Sequence, residues 1–149
     1  MMAIEGFVRG KCYCGSVQFK FSLPTDFCAH CHCASCRLSH GASYVTWTSV
    51  PNSNFSITQG ADLISWYRSS KWVEWGFCKT CGSSMLYRAI QNGHPESPKL
   101  DRMYVTVGSL IDPMDQPATC HVSYEERLPN SDFKDDLPKY RGKGIEQIG

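Results

Sequence analysis

Seven of the nine cysteines in this chain fall into three short clusters. These clusters are Cys12 and Cys14; Cys31, Cys33 and Cys36; and Cys78 and Cys81. Structural zinc is held by four thiolate or imidazole ligands, whereas catalytic zinc keeps three protein ligands and leaves its fourth position to water or substrate. Two pairs and one triplet therefore predict one closed and one open zinc site, with two zinc ions per chain.

The two pairs are interpreted as small zinc knuckles that share one ion. Each pair is directly followed by a glycine, Gly15 or Gly82, which permits the sharp turn that brings two thiolates to one metal. A set of buried, reduced cysteines is the plainer alternative. A disulfide scaffold is disfavoured, because the apolar run near the N-terminus is short and is broken by charged residues, unlike a signal peptide. The sequence thus predicts a cytoplasmic protein.

The triplet Cys31, Cys33 and Cys36 is the candidate open site. Three thiolates at these offsets can occupy one face of a tetrahedron, and a thiol from outside the protein could complete it and lose its proton to the metal. The alternative is a second structural site that another residue of the chain closes. Candidates for that role are Cys28, His30, His40, Cys120 and His121.

Cys28 is the strongest of these candidates, because it lies within the same nine-residue segment as the triplet. In an extended strand, however, Cys28 and Cys31 would point to opposite faces of the sheet. His32, between two ligand cysteines, should point away from the metal and is expected to make a supporting hydrogen bond.

Several segments around these cysteines resemble one enzyme family in their order and spacing. They are Lys11–Gly15 (KCYCG), Cys31–Arg37 (CHCASCR), Gly41, Phe55–Gly60 (FSITQG), Tyr67–Ser70 (YRSS) and Phe77–Ser83 (FCKTCGS). This pattern resembles the glutathione-dependent formaldehyde-activating enzymes, also called the centromere protein V type. The resemblance runs from about Gly6 to Tyr140.

The resemblance implies an Mss4-like β architecture, a carbon–sulfur lyase activity and the formation of S-hydroxymethylglutathione from formaldehyde and glutathione. It also assigns the ligands: Cys12, Cys14, Cys78 and Cys81 to structural zinc, and Cys31, Cys33 and Cys36 to catalytic zinc. The partners it implies are a small thiol such as glutathione and an aldehyde. His121 matches a late histidine of the family, whereas Asn130 stands where a tryptophan commonly follows the proline.

Length and composition agree with one globular domain over residues 1–149, with a core from about 6 to 140 and a tail over 141–149. Hydrophobic residues make up 42% of the chain, which excludes a disordered protein. No apolar run approaches the ~18 residues that a membrane span needs. The formal charge is +1, and ionised ligand cysteines would make the zinc-loaded protein mildly negative, which argues against a nucleic-acid partner.

Residues alternate with a period of two along most of the chain, so the predicted fold class is mainly β, with short antiparallel strands. The predicted strands are Val17–Phe21, Tyr44–Thr48, Phe55–Thr58, Leu63–Tyr67, Trp72–Phe77, Ser84–Tyr87 and Met103–Val107. Helix is expected mainly at Ala34–Ser39, and the longest loop at Gln91–Lys99. The polar segment Ser131–Gly149 should either pack loosely or wrap the domain.

Two function classes follow. In the first, the open zinc holds a thiol as its thiolate and presents it to an aldehyde carbon. In the second, both zincs are structural and the domain is a non-catalytic binding or adaptor module. The coordination of the second zinc distinguishes the two.

Overall fold

The structure is a computed structural model that describes residues 6–93, 99–144 and 146–148. The strands are β1 (Phe7–Lys11), β2 (Gln18–Ser22), β3 (Cys28–Cys31), β4 (Val45–Pro51), β5 (Phe55–Gln59), β6 (Ile64–Arg68), β7 (Val73–Cys78), β8 (Ser84–Ala89), β9 (Arg102–Thr106), β10 (His121–Val122), β11 (Tyr140–Arg141) and β12 (Glu146–Gln147). The α-helix α1 spans Ala34–His40, and four short 3₁₀ turns lie at Asn52–Asn54, Ala61–Leu63, Val107–Ser109 and Tyr124–Glu126. The mainly β prediction is confirmed.

A large sheet of seven strands forms the centre of the fold, in the order β10-β3-β4-β9-β8-β7-β6. All its pairings are antiparallel except β10 with β3, where His121 lies opposite His30. The strand β3, which ends at the cluster cysteine Cys31, is therefore an inner strand, held between β4 and the late strand β10.

A smaller sheet, β1-β2-β5, packs on one face of the large sheet. Alternate residues of β2, Phe19 and Phe21, enter this shared core together with Leu86 and Val105 of the large sheet. Burying such side chains contributes about 1.5–3 kcal/mol each, so this layer carries most of the apolar stabilisation.

The other face of the large sheet carries a second, smaller apolar cluster. Because side chains alternate along a strand, Tyr87 and Tyr104 lie opposite to their neighbours Leu86 and Val105. They pack with Trp47 and with the sulfurs of the second cysteine cluster. The two sheet faces thus separate a main core from the surroundings of the candidate open site.

The C-terminal segment wraps the domain, which is one of the two arrangements expected for it. Pro138 accepts a hydrogen bond from the His121 backbone N–H at 2.9 Å, and Lys139 forms a parallel bridge with His121. We call residues 131–144 the C-terminal strap. It lies against β10, on the far side of β10 from β3.

Two remaining expectations concern the loops and the membrane. The predicted loop Gln91–Lys99 falls mostly on residues 94–98, which lie outside the described residues. Within the described part of the chain, no helix is long and apolar enough to cross a membrane.

Candidate metal centres

The first cysteine cluster brings together Cys12, Cys14, Cys78 and Cys81, whose four sulfurs all lie within 4.8 Å of one another. The sulfurs of Cys12 and Cys14 are 3.6 Å apart, and those of Cys14 and Cys78 are 3.9 Å apart. Tetrahedral zinc with bonds of about 2.3 Å to sulfur separates its ligands by roughly 3.8 Å. The donor set and its spacing therefore fit a closed zinc site.

Two matching turns build this cluster. Gly15 and Gly82 both adopt left-handed backbone angles, with φ of 80° and 81°. The amide of Gly15 donates to the carbonyl of Cys12, and the amide of Gly82 to that of Cys78, at 3.1 and 2.7 Å. The two cysteine pairs therefore lie on two similar turns, one after β1 and one after β7.

The first cluster joins the small sheet to the large one. Cys12 and Cys78 are almost completely buried in the main core, whereas Cys14 is exposed. Burial is the largest effect that raises the pKa of the Cys12 thiol, to about 11. A metal that binds here must take the place of that proton, so its binding is coupled to folding.

The second cluster contains three sulfurs, those of Cys31, Cys33 and Cys36, again within 4.8 Å of one another. Cys31 ends β3 and Cys33 is the N-cap of α1, where its sulfur accepts the Cys36 backbone N–H at 3.3 Å. The sulfurs of Cys36 and Cys31 are 3.5 Å apart. The strand end and the first helical turn thus converge, as the spacing predicted.

Hydrogen bonds inside the second cluster shift the pKa values of its thiols. The thiols of Cys33 and Cys36 are the main cause that lowers the pKa of Cys31, and Lys143 also lowers it. The pKa of Cys36 is raised, first through its bond to Cys31. Three converging thiols are a suitable donor set for zinc, which binds cysteine as the thiolate.

Aromatic side chains surround this second cluster. Trp47 donates its indole N–H to the Cys36 sulfur at 3.3 Å. The Tyr87 ring lies 5.8 Å from that of Trp47 and 4.5 Å from that of Trp75, measured between centroids. The pKa of Tyr87 is raised, chiefly by burial and then by Cys36, Cys33 and Tyr104. The site is therefore lined on the sheet side by apolar surface.

Among the described residues, no side chain joins the three sulfurs as a fourth ligand of the same group. Cys28 is 2% exposed, and its pKa is raised to about 11 by burial, then by Asp115 and Cys120. Its extended strand places it three residues before Cys31, on the opposite sheet face. Cys28 and Cys120 therefore lie outside the cluster.

The three histidine candidates also have other partners. His30 Nδ1 lies 2.7 Å from the Thr46 hydroxyl. His40 Nδ1 is 3.0 Å from the carbonyl oxygen of Cys36, while its Nε2 is buried without a hydrogen-bond partner among the described atoms. His121 Nδ1 lies 2.7 Å from His32 Nε2, so these two buried rings form a pair behind the cluster.

A groove of about 860 Å³ is lined by one cysteine of the first cluster, Cys12, and by two neighbours of the second cluster, His40 and Val45. Its lining combines apolar and polar groups: Lys11, Cys12, Tyr13, His40, Ala42, Tyr44, Val45, Thr46, Ser83, Ser84, Thr106, Gly108, Ser109, Leu110 and Ile111. The groove is large enough for a small peptide-like ligand.

Sequence reasoning missed several neighbours of the second cluster. Trp47 was not linked to the cysteines, because its N–H bond to Cys36 depends on a register that the spacing alone does not fix. Asp135, which accepts from His121 at 2.8 Å, lies in the polar tail with no motif around it. Only the three-dimensional path of the C-terminal strap brings it to this place.

Known proteins share both the sequence pattern and the fold. The sequence model of the family described as "Glutathione-dependent formaldehyde-activating enzyme" matches residues 7–126. A Schizosaccharomyces pombe protein named as an uncharacterized lyase is 34% identical over 90 residues, which are 57% of this chain and 59% of that protein. The match thus spans less than two thirds of the relative.

The crystal structure of a Rhodobacter sphaeroides protein is similar in fold, with a TM-score of 0.55 and 24% identity. The superposed region covers 69% of this chain and 87% of that protein. At this identity the similarity concerns the fold alone.

Proposed function

Because this chain belongs to the glutathione-dependent formaldehyde-activating enzyme family, we propose that it is a zinc-dependent carbon–sulfur lyase that makes and breaks a thiol–aldehyde adduct. S-hydroxymethylglutathione is the proposed adduct, with glutathione and formaldehyde as its components. The family and the lyase-named relative indicate a lyase-like activity. The specific substrates are part of this proposal.

The observation that carries the proposal is the difference between the two cysteine clusters. The first brings four sulfurs together and the second brings three. A zinc ion held by four thiolates has no position for a substrate, whereas one held by three has one. We therefore propose two roles for zinc. A structural zinc is held by Cys12, Cys14, Cys78 and Cys81, and a catalytic zinc is held by Cys31, Cys33 and Cys36.

The proposed reaction joins the sulfur of a thiol to the carbonyl carbon of an aldehyde. The sulfur electron pair forms the new C–S bond, the C=O π bond breaks onto oxygen, and the thiol proton ends on that oxygen as a hydroxyl. The lyase direction reverses these steps and expels the thiol. Zinc held by Cys31, Cys33 and Cys36 would supply Lewis acidity that keeps the substrate sulfur ionised near neutral pH.

The side chains around the second cluster have roles in this proposal. The aromatic wall of Trp47, Trp75 and Tyr87 excludes water from one side of the sulfurs and strengthens electrostatic interactions there. The groove that His40 and Val45 line would bind the body of the thiol, with hydroxyl groups and Lys11 available to a peptide-like ligand.

Calorimetric titration of the zinc-loaded protein with glutathione tests the proposal. We expect one glutathione to bind per chain. The heat of binding should depend on the free thiol of the peptide. S-methylglutathione, which keeps the peptide and blocks the sulfur, is the matched control and should bind at least 10-fold more weakly. The Cys33→Ser variant should lose glutathione binding and the accelerated formation of the adduct, as followed by NMR exchange with formaldehyde.

Equal affinity for the two peptides would contradict a sulfur–metal contact. Absence of binding by either peptide, with two zincs bound, would instead support a non-catalytic module with two structural sites.

A further inference from the structure

A chain of hydrogen bonds runs from the C-terminal strap to the back of the second cluster. Asp135 Oδ2 accepts from His121 Nε2 at 2.8 Å, and His121 Nδ1 lies 2.7 Å from His32 Nε2. Both histidines have fully buried rings, at 0% exposure. His32 is the residue between the cluster cysteines Cys31 and Cys33.

The direction of the first bond follows from its acceptor. A carboxylate only accepts, so His121 Nε2 carries a hydrogen and donates it to Asp135. One of His121 Nδ1 and His32 Nε2 donates to the other across the 2.7 Å between the two rings. Both rings are consequently held in one orientation, which is how histidines that support metal sites are commonly held.

His32 is also fixed through its main chain. Its N–H donates to the Val122 carbonyl at 3.1 Å, and its carbonyl accepts from Arg37 Nε at 3.3 Å. With its ring held by His121 as well, the whole residue is constrained. Its two peptide bonds lead directly to Cys31 and Cys33, so the directions of those cysteines depend on it.

The carboxylate at the other end of this chain is itself held. Lys139 Nζ donates to Asp135 Oδ1 at 2.8 Å and is 8% exposed, so Asp135 joins a buried ammonium to a buried imidazole. Phe133 of the same strap packs its ring 5.0 Å from that of His32. The match to the family ends at residue 126, before any of these strap residues.

We propose that Asp135 is a positioning residue for the second cluster: through His121 and His32, the C-terminal strap sets the geometry of Cys31 and Cys33 and thereby their zinc affinity. The inference rests on the proposed function in one respect, that this cluster holds zinc. Outer partners of metal ligands typically contribute 10- to 100-fold to metal affinity. A contribution of about that size is expected from Asp135.

Stepwise removal of zinc from the holo-protein by a chromogenic chelator tests this proposal. Asp135→Asn keeps the size of the side chain but loses its charge. It should lower the affinity for one of the two zinc ions by about 10- to 100-fold. Asp135→Glu keeps the carboxylate and should weaken it less. Asp132→Asn is the matched control, since Asp132 is in the same strap but pairs with Arg127 at the surface; it should change neither affinity.

The Cys33→Ser background identifies the affected ion, because only the first-cluster zinc should remain there. Asp135→Asn should then have no effect. The proposal is overturned if Asp135→Asn binds both zincs like the wild type, if it weakens both equally, or if Asp132→Asn has the same effect. A wild-type protein that holds only one zinc would instead contradict the proposed function, before any strap variant is made.

Discussion

Trp47 donates its indole N–H to the sulfur of Cys36 at 3.3 Å. This bond links the second cluster to β4, which pairs with both β3 and β9 near the middle of the large sheet. An N–H donor stabilises the negative charge of a thiolate and fixes its direction. The sheet therefore contributes to the candidate site through a specific polar contact as well as through an apolar wall.

Replacement of Trp47 by Phe should lower the zinc affinity of the second cluster by about 10-fold, because an aromatic ring remains while the N–H donor to Cys36 is lost. Trp75→Phe is a close control, since the indole N–H of Trp75 donates instead to the Ser69 hydroxyl at 2.8 Å. Chelator competition measures both affinities. Equal weakening in the two variants would show that packing, and not the hydrogen bond, supports the cluster.

The sequence was sufficient to predict the two clusters because cysteine spacing and the glycines after the pairs are local signals. It also predicted most strands of the large sheet from their period of two, with ends that differ by at most three residues. The short strands β10, β11 and β12 were not predicted. Two-residue strands have no periodicity, and β10 exists because it pairs with β3 far away in sequence.

The sequence identified His121 as a candidate fourth ligand but did not indicate its partners. The structure places it behind the second cluster, bonded to His32 and Asp135, and its ring packs against those of Phe133 and Tyr124. His32 makes the supporting hydrogen bond that was expected of it. Its partner could not be read from local sequence, since 89 residues separate the two histidines.

Elemental analysis of protein purified with zinc present should find two zinc ions per chain. Seven converging sulfurs in two groups provide the ligands. A measured content of one zinc ion per chain would contradict metal binding by the second cluster. A content of none would contradict metal binding by both clusters. Added magnesium, which prefers oxygen ligands, should not replace zinc in a competition control.

The two clusters should respond differently to loss of a ligand. Cys78 is fully buried in the main core, and structural zinc typically contributes ~10–16 kcal/mol, comparable to the whole stability of a domain. Cys78→Ser should therefore unfold or strongly destabilise the protein. Cys33→Ser, at the half-buried start of α1, should leave a folded domain with one zinc.

Circular dichroism for folding and elemental analysis for zinc content distinguish these outcomes. Equal loss of folding in Cys78→Ser and Cys33→Ser would contradict the division into a structural and a catalytic site.

Gly60→Ala should destabilise the protein by roughly 2–4 kcal/mol, since a left-handed alanine is strained and overpacking adds to that cost. Gly60 has φ of 73°, and an added Cβ would lie 2.2 Å from the Ser16 carbonyl oxygen, just after the first pair of cysteines. Gly41, with φ of 58°, has no atom within 4 Å of the same position. Gly41→Ala should therefore cost only about 1–2 kcal/mol in denaturant unfolding.

The difference between the two alanine variants isolates the close approach to Ser16, because both positions have left-handed backbone angles. If Gly60→Ala and Gly41→Ala unfold at the same denaturant concentration, the turn before Leu63 does not depend on that contact.

Cys28→Ser decides most directly between an enzyme and a non-catalytic module. Cys28 is buried on the sheet face opposite to Cys31, and its sulfur is not among the three that converge. We therefore expect the variant to keep both zincs and to bind glutathione with an affinity within about twofold of the wild type. Its stability should fall by about 1 kcal/mol, because a buried hydroxyl replaces a thiol.

The opposite outcome has a specific chemical meaning. A fourth protein thiolate would have to leave before a substrate sulfur could bind, and this exchange has little driving force because one Zn–S bond replaces another. Loss of the second zinc in Cys28→Ser, or thiol binding by this variant alone, would therefore show that Cys28 closes the wild-type site. The lyase proposal would then give way to a domain with two structural zincs. Cys120→Ser is the matched control, since Cys120 also lies outside both clusters and should leave zinc content and thiol binding unchanged.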